Sequence, residues 1–187
     1  MKSIAIAFFA ALAVPAISLA YEKAFAQTDA GKIEIKTIPE RTLIVAESES
    51  AYFEENNGLF GQLFRYIQDN DVSMTVPVKA DINPGKMYFY VGTKDLAKDL
   101  KQTDSVKIVV EPERKVLSIG VRGGYSEKNY KEARDQLLDW LAASKEWQKS
   151  GAVYAIYWNG PYVPAFIKRF EVHIPVAPKP KEEQASE

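Results

Sequence analysis

The 187-residue chain has no cysteine and a single histidine, His173. Without cysteine there is no disulfide, no thiolate metal site and no cysteine nucleophile. One histidine and no cysteine also exclude the usual Cys-His dyad. Charge of one sign is missing too. The formal net charge is −1, so the basic stripe that nucleic acid asks for is absent and no nucleic-acid partner is expected. The common catalytic strings do not occur: no G-x-S-x-G, no H-E-x-x-H, no Walker loop and no G-x-G-x-x-G. A Ser-His pair stays open, but no serine sits in a recognisable elbow. No second apolar run follows residue 20.

What is present begins with a leader pattern. Met1-Lys2-Ser3 is a short basic start and Ile4 to Ala20 is almost wholly apolar. Ala24-Phe25-Ala26 then forms an A-x-A cleavage site, with Ser18-Leu19-Ala20 as a second option. The run is near the lower length limit for a membrane anchor, but Pro15 and the small-residue sites favour a signal peptide. The expected organisation is a signal peptide over 1–26, one domain over 27–175 and a disordered tail over 176–187, where PVAPKPKEEQASE is rich in proline and charge. The expected location is the periplasm or outside the cell, with no stable membrane span after signal cleavage. One domain of this length buries a core without staples.

The middle of the chain reads as strands and two helices. Lys32 to Ile38 and Arg41 to Glu47 are β-branched-rich runs interrupted by Pro39. Leu59, Phe60, Leu63, Phe64 and Ile67 share a helical face, read as core, with Asn56 or Asn57 as cap. Val72–Val78, which contains Pro77, and Met87–Val91 are strands, and Thr93–Leu100 is a short helix. Val106–Val110 and Lys115–Val121 follow. Ser126 caps a second helix over 127–142, whose apolar face is Tyr130, Ala133, Leu137, Trp140 and Leu141. Ser144 to Gly151 is a polar connection, and Ala152–Trp158 is a strand. In the last strand, Phe166, Phe170, Val172 and Ile174 point one way and Arg169, Glu171 and His173 the other.

Two β-α-β-β units emerge, offset by roughly 75–80 residues, with shared order but no shared residue string. The expected fold class is α+β: the duplicated β-α-β-β units form a distorted antiparallel barrel or curved sheet with two helices on one face. The other face then becomes a concave groove suited to an apolar ligand.

Two segments carry a family likeness. Ser73-Met74-Thr75-Val76-Pro77-Val78 resembles the MT-x-PV signature of the SOUL haem-binding family. The run from Trp158 to Val172, WNGPYVPAFIKRFEV, resembles that family's second motif. The resemblance covers roughly residues 32–175. It implies a duplicated β-α-β-β barrel and a small-molecule ligand, haem or another tetrapyrrole, bound non-enzymatically. A wider resemblance to gyrase-inhibitor-like ligand-binding domains marks Glu171 as the matching groove glutamate. That leaves a second reading open, a small-molecule module or hydrolase using Glu171 as its active carboxylate.

Against this background the candidate ligand-binding residues are His173, Glu171, Arg169, Tyr88, Tyr90 and Tyr154. His173 is the candidate metal ligand through a neutral imidazole. It follows the Glu-Val motif rather than matching a family ligand position, and one chain cannot supply two histidine ligands. Tyr88 and Tyr90 share a face, and with Tyr154 and Trp158 they offer stacking surfaces to a flat macrocycle. Arg169 offers a charge-assisted hydrogen bond to a propionate, whereas Lys168 falls on the other face. Met74 belongs by parity with Val76 and Val78 as core.

Overall fold

A computed structural model of the protein describes residues 21–54 and 58–180. The apolar run of the leader, the end of the tail and the Asn56/Asn57 cap lie outside the described residues. The strands are β1 (Glu22–Lys23), β2 (Ile33–Ile38), β3 (Arg41–Glu47), β4 (Thr75–Val76), β5 (Val78–Asp81), β6 (Lys86–Tyr90), β7 (Lys107–Glu111), β8 (Arg114–Arg122), β9 (Trp147–Lys149), β10 (Tyr154–Tyr157) and β11 (Arg169–Pro178). The helices are α1 (Leu59–Asp69) and α2 (Glu127–Ala143).

The fold is α+β, a large curled antiparallel sheet forming a half-barrel with two helices packed on it. Its order is β2-β8-β11-β10-β5-β6-β3-β7, with β9 added on the far end of β11. The order shows the duplication. β8-α2-β10-β11 and β3-α1-β5-β6 are the two units, and they meet where β10 pairs β5, with Ala155 opposite Ala80. Strand period 2 then sorts every side chain. Ile44, Phe89, Val78, Tyr157, Phe170 and Val121 are register partners in one row across six strands and face the helices. The next row, Val45, Tyr88, Lys79, Ile156, Glu171 and Gly120, faces the other side.

Each helix closes its own part of the core. α1 buries Leu59, Leu63, Tyr66 and Ile67 against Ile44, Met87 and Phe89. Its face is narrower than the sequence implies. Phe60 and Phe64 sit at the rim, about 40 % exposed, and stack on each other with ring centroids 5.8 Å apart. Spacing alone assigns them to the face, but the sheet is not wide enough to cover both. α2 buries Tyr130, Ala133, Leu137 and Leu141, while Trp140 stays at its edge. Ser126 caps α2 as its sequence position indicates, accepting the Asn129 N–H at 3.2 Å. Ser126→Ala should cost about 1 kcal/mol. By thermal circular dichroism that is a fall of roughly 2–4 °C in Tm.

Four further segments differ from the sequence reading. The expected strand Val72–Val78 is strand only at Thr75–Val76, breaks at Pro77 and resumes as β5, which runs on to Asp81. Thr93–Asp95 forms only a single 3-10 turn in place of a short helix. The last strand begins at Arg169, because Ala165–Ile167 is another 3-10 turn that leaves Phe166 exposed. At its other end β11 runs on to Pro178, past the expected start of the tail, because β9 pairs it from within the expected polar connection. Proline lacks a donor, yet its carbonyl still accepts. The Ser150 N–H donates to Pro175 O at 2.8 Å, and Gln148 Nε2 to Pro178 O at 3.3 Å.

Candidate ligand-binding groove

The face away from the helices carries the buried Lys79, Glu171 and His173 among the rings of Tyr88, Tyr90, Tyr154 and Trp158. At its centre Glu171 is fully buried on β11 and accepts five hydrogen bonds. Its Oε1 takes the Trp158 Nε1–H at 2.7 Å and the Thr28 backbone N–H at 2.8 Å. Its Oε2 takes Lys36 Nζ at 2.6 Å, His173 Nε2 at 2.6 Å and the Ser118 hydroxyl at 3.0 Å. Burial alone would push this carboxyl up. The His173 hydrogen bond and the Lys36 ammonium win, and hold it at about 2.

His173 is buried beside it, two residues on along the same face. Nε2–H donates to Glu171, and Nδ1 accepts from the Tyr154 hydroxyl at 3.2 Å. Burial drives the imidazole below its ordinary value despite Glu171, so the ring is neutral at pH 7. Both ring nitrogens are therefore engaged by the protein. Burial likewise pulls the Lys36 ammonium down, with Glu171 opposing.

A second buried charge lies on the same face. Lys79 pairs with Glu111 at 2.5 Å and sits over the rings of Tyr88 at 4.2 Å and Tyr154 at 4.8 Å. Arg114 also pairs with Glu111, and the Tyr88 hydroxyl donates to Asp81 at 2.6 Å. Burial and the neighbouring Asp81 push the Tyr88 phenol well up. Of the residues singled out from sequence, Glu171, His173, Tyr154 and Trp158 thus form one contact group. Tyr88 and Tyr90 share their face, on the far side of β5. Arg169 stands apart: it is half-buried at the end of β11, opposite Arg122, and lines an open depression of about 620 Å³ with Asp29, Gly120 and Gln136.

Sequence reasoning missed Lys36, Lys79, Ser118 and Glu111. The signal was available for the first two, since Lys36 alternates with Ile33 and Ile35 and Lys79 lies between Val78 and Ala80. It also missed what covers the face. Instead of an open hollow, the structure shows one filled by its own walls and by residues 21–28. The ring of Phe25 stands edge-on to Tyr90 at 5.7 Å and Trp158 at 5.6 Å, and tilted to His173 at 5.9 Å. A cavity of about 100 Å³ lies under Glu22 and Ala24, lined also by Arg41, Thr75 and Tyr90. Among the described residues no group of three or more His, Asp or Glu side chains could hold a metal ion.

With this geometry in view, comparison with known proteins is direct. The family model described as SOUL heme-binding protein matches residues 18–175. The chain belongs to that family. No curated protein matches the sequence. Among solved structures, the chain is similar to an EcmrR–DNA complex, with TM-score 0.63 and 13 % identity over 78 % of this chain and 57 % of that one. It thus spans little more than half the length of that neighbour. The EcmrR C-terminal domain matches with TM-score 0.57 and 14 % identity, over 78 % of this chain and 97 % of that one. A hydrolase from Listeria innocua matches with TM-score 0.51 and 14 % identity, over 80 % and 94 %. At such identities the neighbours share the fold alone with this SOUL-family chain.

Proposed function

We propose that this SOUL-family protein binds haem or a related tetrapyrrole on the face carrying Glu171, without performing chemistry on it. The observation that carries the reading is Phe25, whose ring already lies among Tyr90, Trp158 and His173 with the Lys36 ammonium 5.1 Å from its centroid. The hollow accepts a flat aromatic ring beside a cation, the pairing a carboxylated macrocycle needs. The fit depends on Phe25 moving. Pockets for such ligands measure roughly 300–1,000 Å³, whereas the space beside Arg41 and Tyr90 is about 100 Å³. Once it moves, Tyr90 and Trp158 would meet the ring and Lys36 and Arg41 the carboxylates. Tyr88 and Tyr154 form the wall behind them, and Arg169 the far rim.

A bound macrocycle would supply the ring face and the acid groups; its iron would need a ligand of its own. His173 serves as that ligand only by giving up its bond to Glu171 or to Tyr154. The non-enzymatic reading rests on Glu171. A carboxylate holding five donors and ionised down to about pH 2 is a poor general base near neutrality. The hydrolase reading needs that carboxylate free. Export to the periplasm is the reading of residues 1–26, and N-terminal sequencing of the mature protein tests it.

Titrating the protein with haemin should give a shifted Soret band and saturable tryptophan quenching at roughly micromolar ligand. No saturable change in either signal overturns the proposal. His173→Ala should keep the quenching. If the Soret shift alone is lost, His173 is the iron ligand; if both persist, ring contacts and cations hold the macrocycle.

A further inference from the structure

The way residues 21–28 cross the groove carries more than a filled hollow. β1 pairs in parallel with β4, Glu22 opposite Thr75 and Lys23 opposite Val76. The Ala24 N–H donates to Val76 O at 2.8 Å, and the Thr28 N–H reaches Glu171. Between them two carbonyls point at cations. Arg41 Nε and Nη2 both donate to Ala24 O, at 3.1 and 2.7 Å, and Lys36 Nζ donates to Ala26 O at 3.0 Å. A guanidinium fork and an ammonium are the donors that suit carboxylates best. Here the Arg41 fork is spent on a neutral carbonyl, and the Lys36 ammonium divides itself between another and the Glu171 carboxylate.

We propose that residues 21–28 are a displaceable strap that closes the groove by standing in for its ligand. Phe25 holds the place of a flat ring, and the carbonyls of Ala24 and Ala26 hold the places of its carboxylates. The inference rests on the groove reading above and names its ligand class, an aromatic ring bearing acid groups.

Two features separate a strap from ordinary core. The first is shallow anchoring. Only Ala24 and Thr28 are buried and Phe25 is half-buried, while Tyr21, Glu22, Lys23, Ala26 and Gln27 are exposed. Segments with few buried apolar contacts open at low free energy. The second is a track cut for backbone. A Cβ on Gly120 would overlap Asp29 O and come within 2.5 Å of Thr28 O, so β8 is bare where the strap ends. The two cleavage sites in the sequence acquire a meaning as well. Cleavage after Ala20 leaves the strap attached, and cleavage after Ala26 removes Phe25.

The test uses the full chain, wild type and Phe25→Ala, with two probes: haemin, and the aromatic sulfonate dye 1-anilinonaphthalene-8-sulfonate. Phe25→Ala should bind the dye at least about tenfold more tightly, with an unchanged far-ultraviolet circular dichroism spectrum. Saturating haemin should deprotect the Ala24 and Thr28 amides of the wild type in hydrogen exchange. Should Phe25→Ala fail to fold, Gly120→Ala gives a second route: it pushes the strap off without touching Phe25 and should raise dye binding likewise. Tighter dye binding with no haemin binding keeps the strap and removes the pigment reading. Haemin bound equally by both proteins, with both amides still protected, overturns the strap and leaves the pigment another site. Neither probe binding either protein overturns both.

Discussion

Glutamine in place of Glu171 lowers the unfolding free energy by about 3 kcal/mol and Tm by roughly 10 °C. The two side chains have nearly the same shape, so the loss is electrostatic. Glu171 accepts from five donors and pairs at 2.6 Å with Lys36, whose side chain is 13 % exposed. Glutamine has one acceptor oxygen, and its amide would point two N–H groups at donors. At the Oε2 position the amide would face the Lys36 ammonium and the His173 Nε2–H, and flipped to Oε1 it would face the Trp158 and Thr28 N–H groups. Breaking a buried pair from one side leaves the other charge uncompensated. Lys36→Met, made alone, strands the carboxylate in turn, although four other donors soften that loss. The double variant removes both charges and should recover much of the stability. A double-mutant cycle by urea unfolding should return a coupling of about 2 kcal/mol. Additive losses would show that Lys36 is solvated and that the carboxylate stands on its hydrogen bonds alone.

That centre explains which parts of the molecule the sequence discloses. The β-branched-rich run RTLIVAE and the alternation in RFEVHI are local, so β3, the face of β11 and the direction of Glu171 and His173 follow from short stretches of sequence. The β-α-β-β order also survives in sequence, and the sheet order repeats it about the β10–β5 seam. What escapes is the non-local part. Lys36 and Glu171 are 135 residues apart, and nothing in either neighbourhood names the other. The same holds for Lys79 and Glu111 across 32 residues. The strap is concealed for a different reason. Ala24-Phe25-Ala26 fit the expected A-x-A pattern, and the same residues fill the groove. Phe60 and Phe64 show the limit of periodicity: spacing fixes the direction of a side chain but not the breadth of the sheet beneath it.

The buried pair also sets how the protein responds to acid. Stability should hold from neutral pH to about 6.5, decline gently below that, then fall by about 3 kcal/mol between pH 4.5 and 2. The upper limb belongs to His173. Its folded value lies below 6.5 because burial disfavours the imidazolium. The unfolded chain therefore binds the proton first, and the contribution is lost as pH falls below 6.5. The lower limb belongs to Glu171, ordinary at 4.5 and held at about 2 in the fold. Its stabilisation is complete above 4.5 and disappears as pH drops towards 2. Glu22, Glu34 and Glu47 are also held low, by Thr93, Lys32 and Lys107 in turn, but they lie at or near the surface. Salt screens the pairs with Lys32 and Lys107, while the Thr93 hydrogen bonds to Glu22 are solvent-exposed. Buried Asp95, which accepts the Ser73 N–H at 2.8 Å, adds a smaller slope of the same sign. Urea midpoints measured across pH at high salt should isolate the Glu171 limb. Glu171→Gln should then flatten the curve below pH 4.5 while leaving the decline under 6.5 in place, because His173 stays buried and neutral. An unchanged acid limb in that variant would move the effect to other carboxylates and detach Glu171 from the stability of the groove.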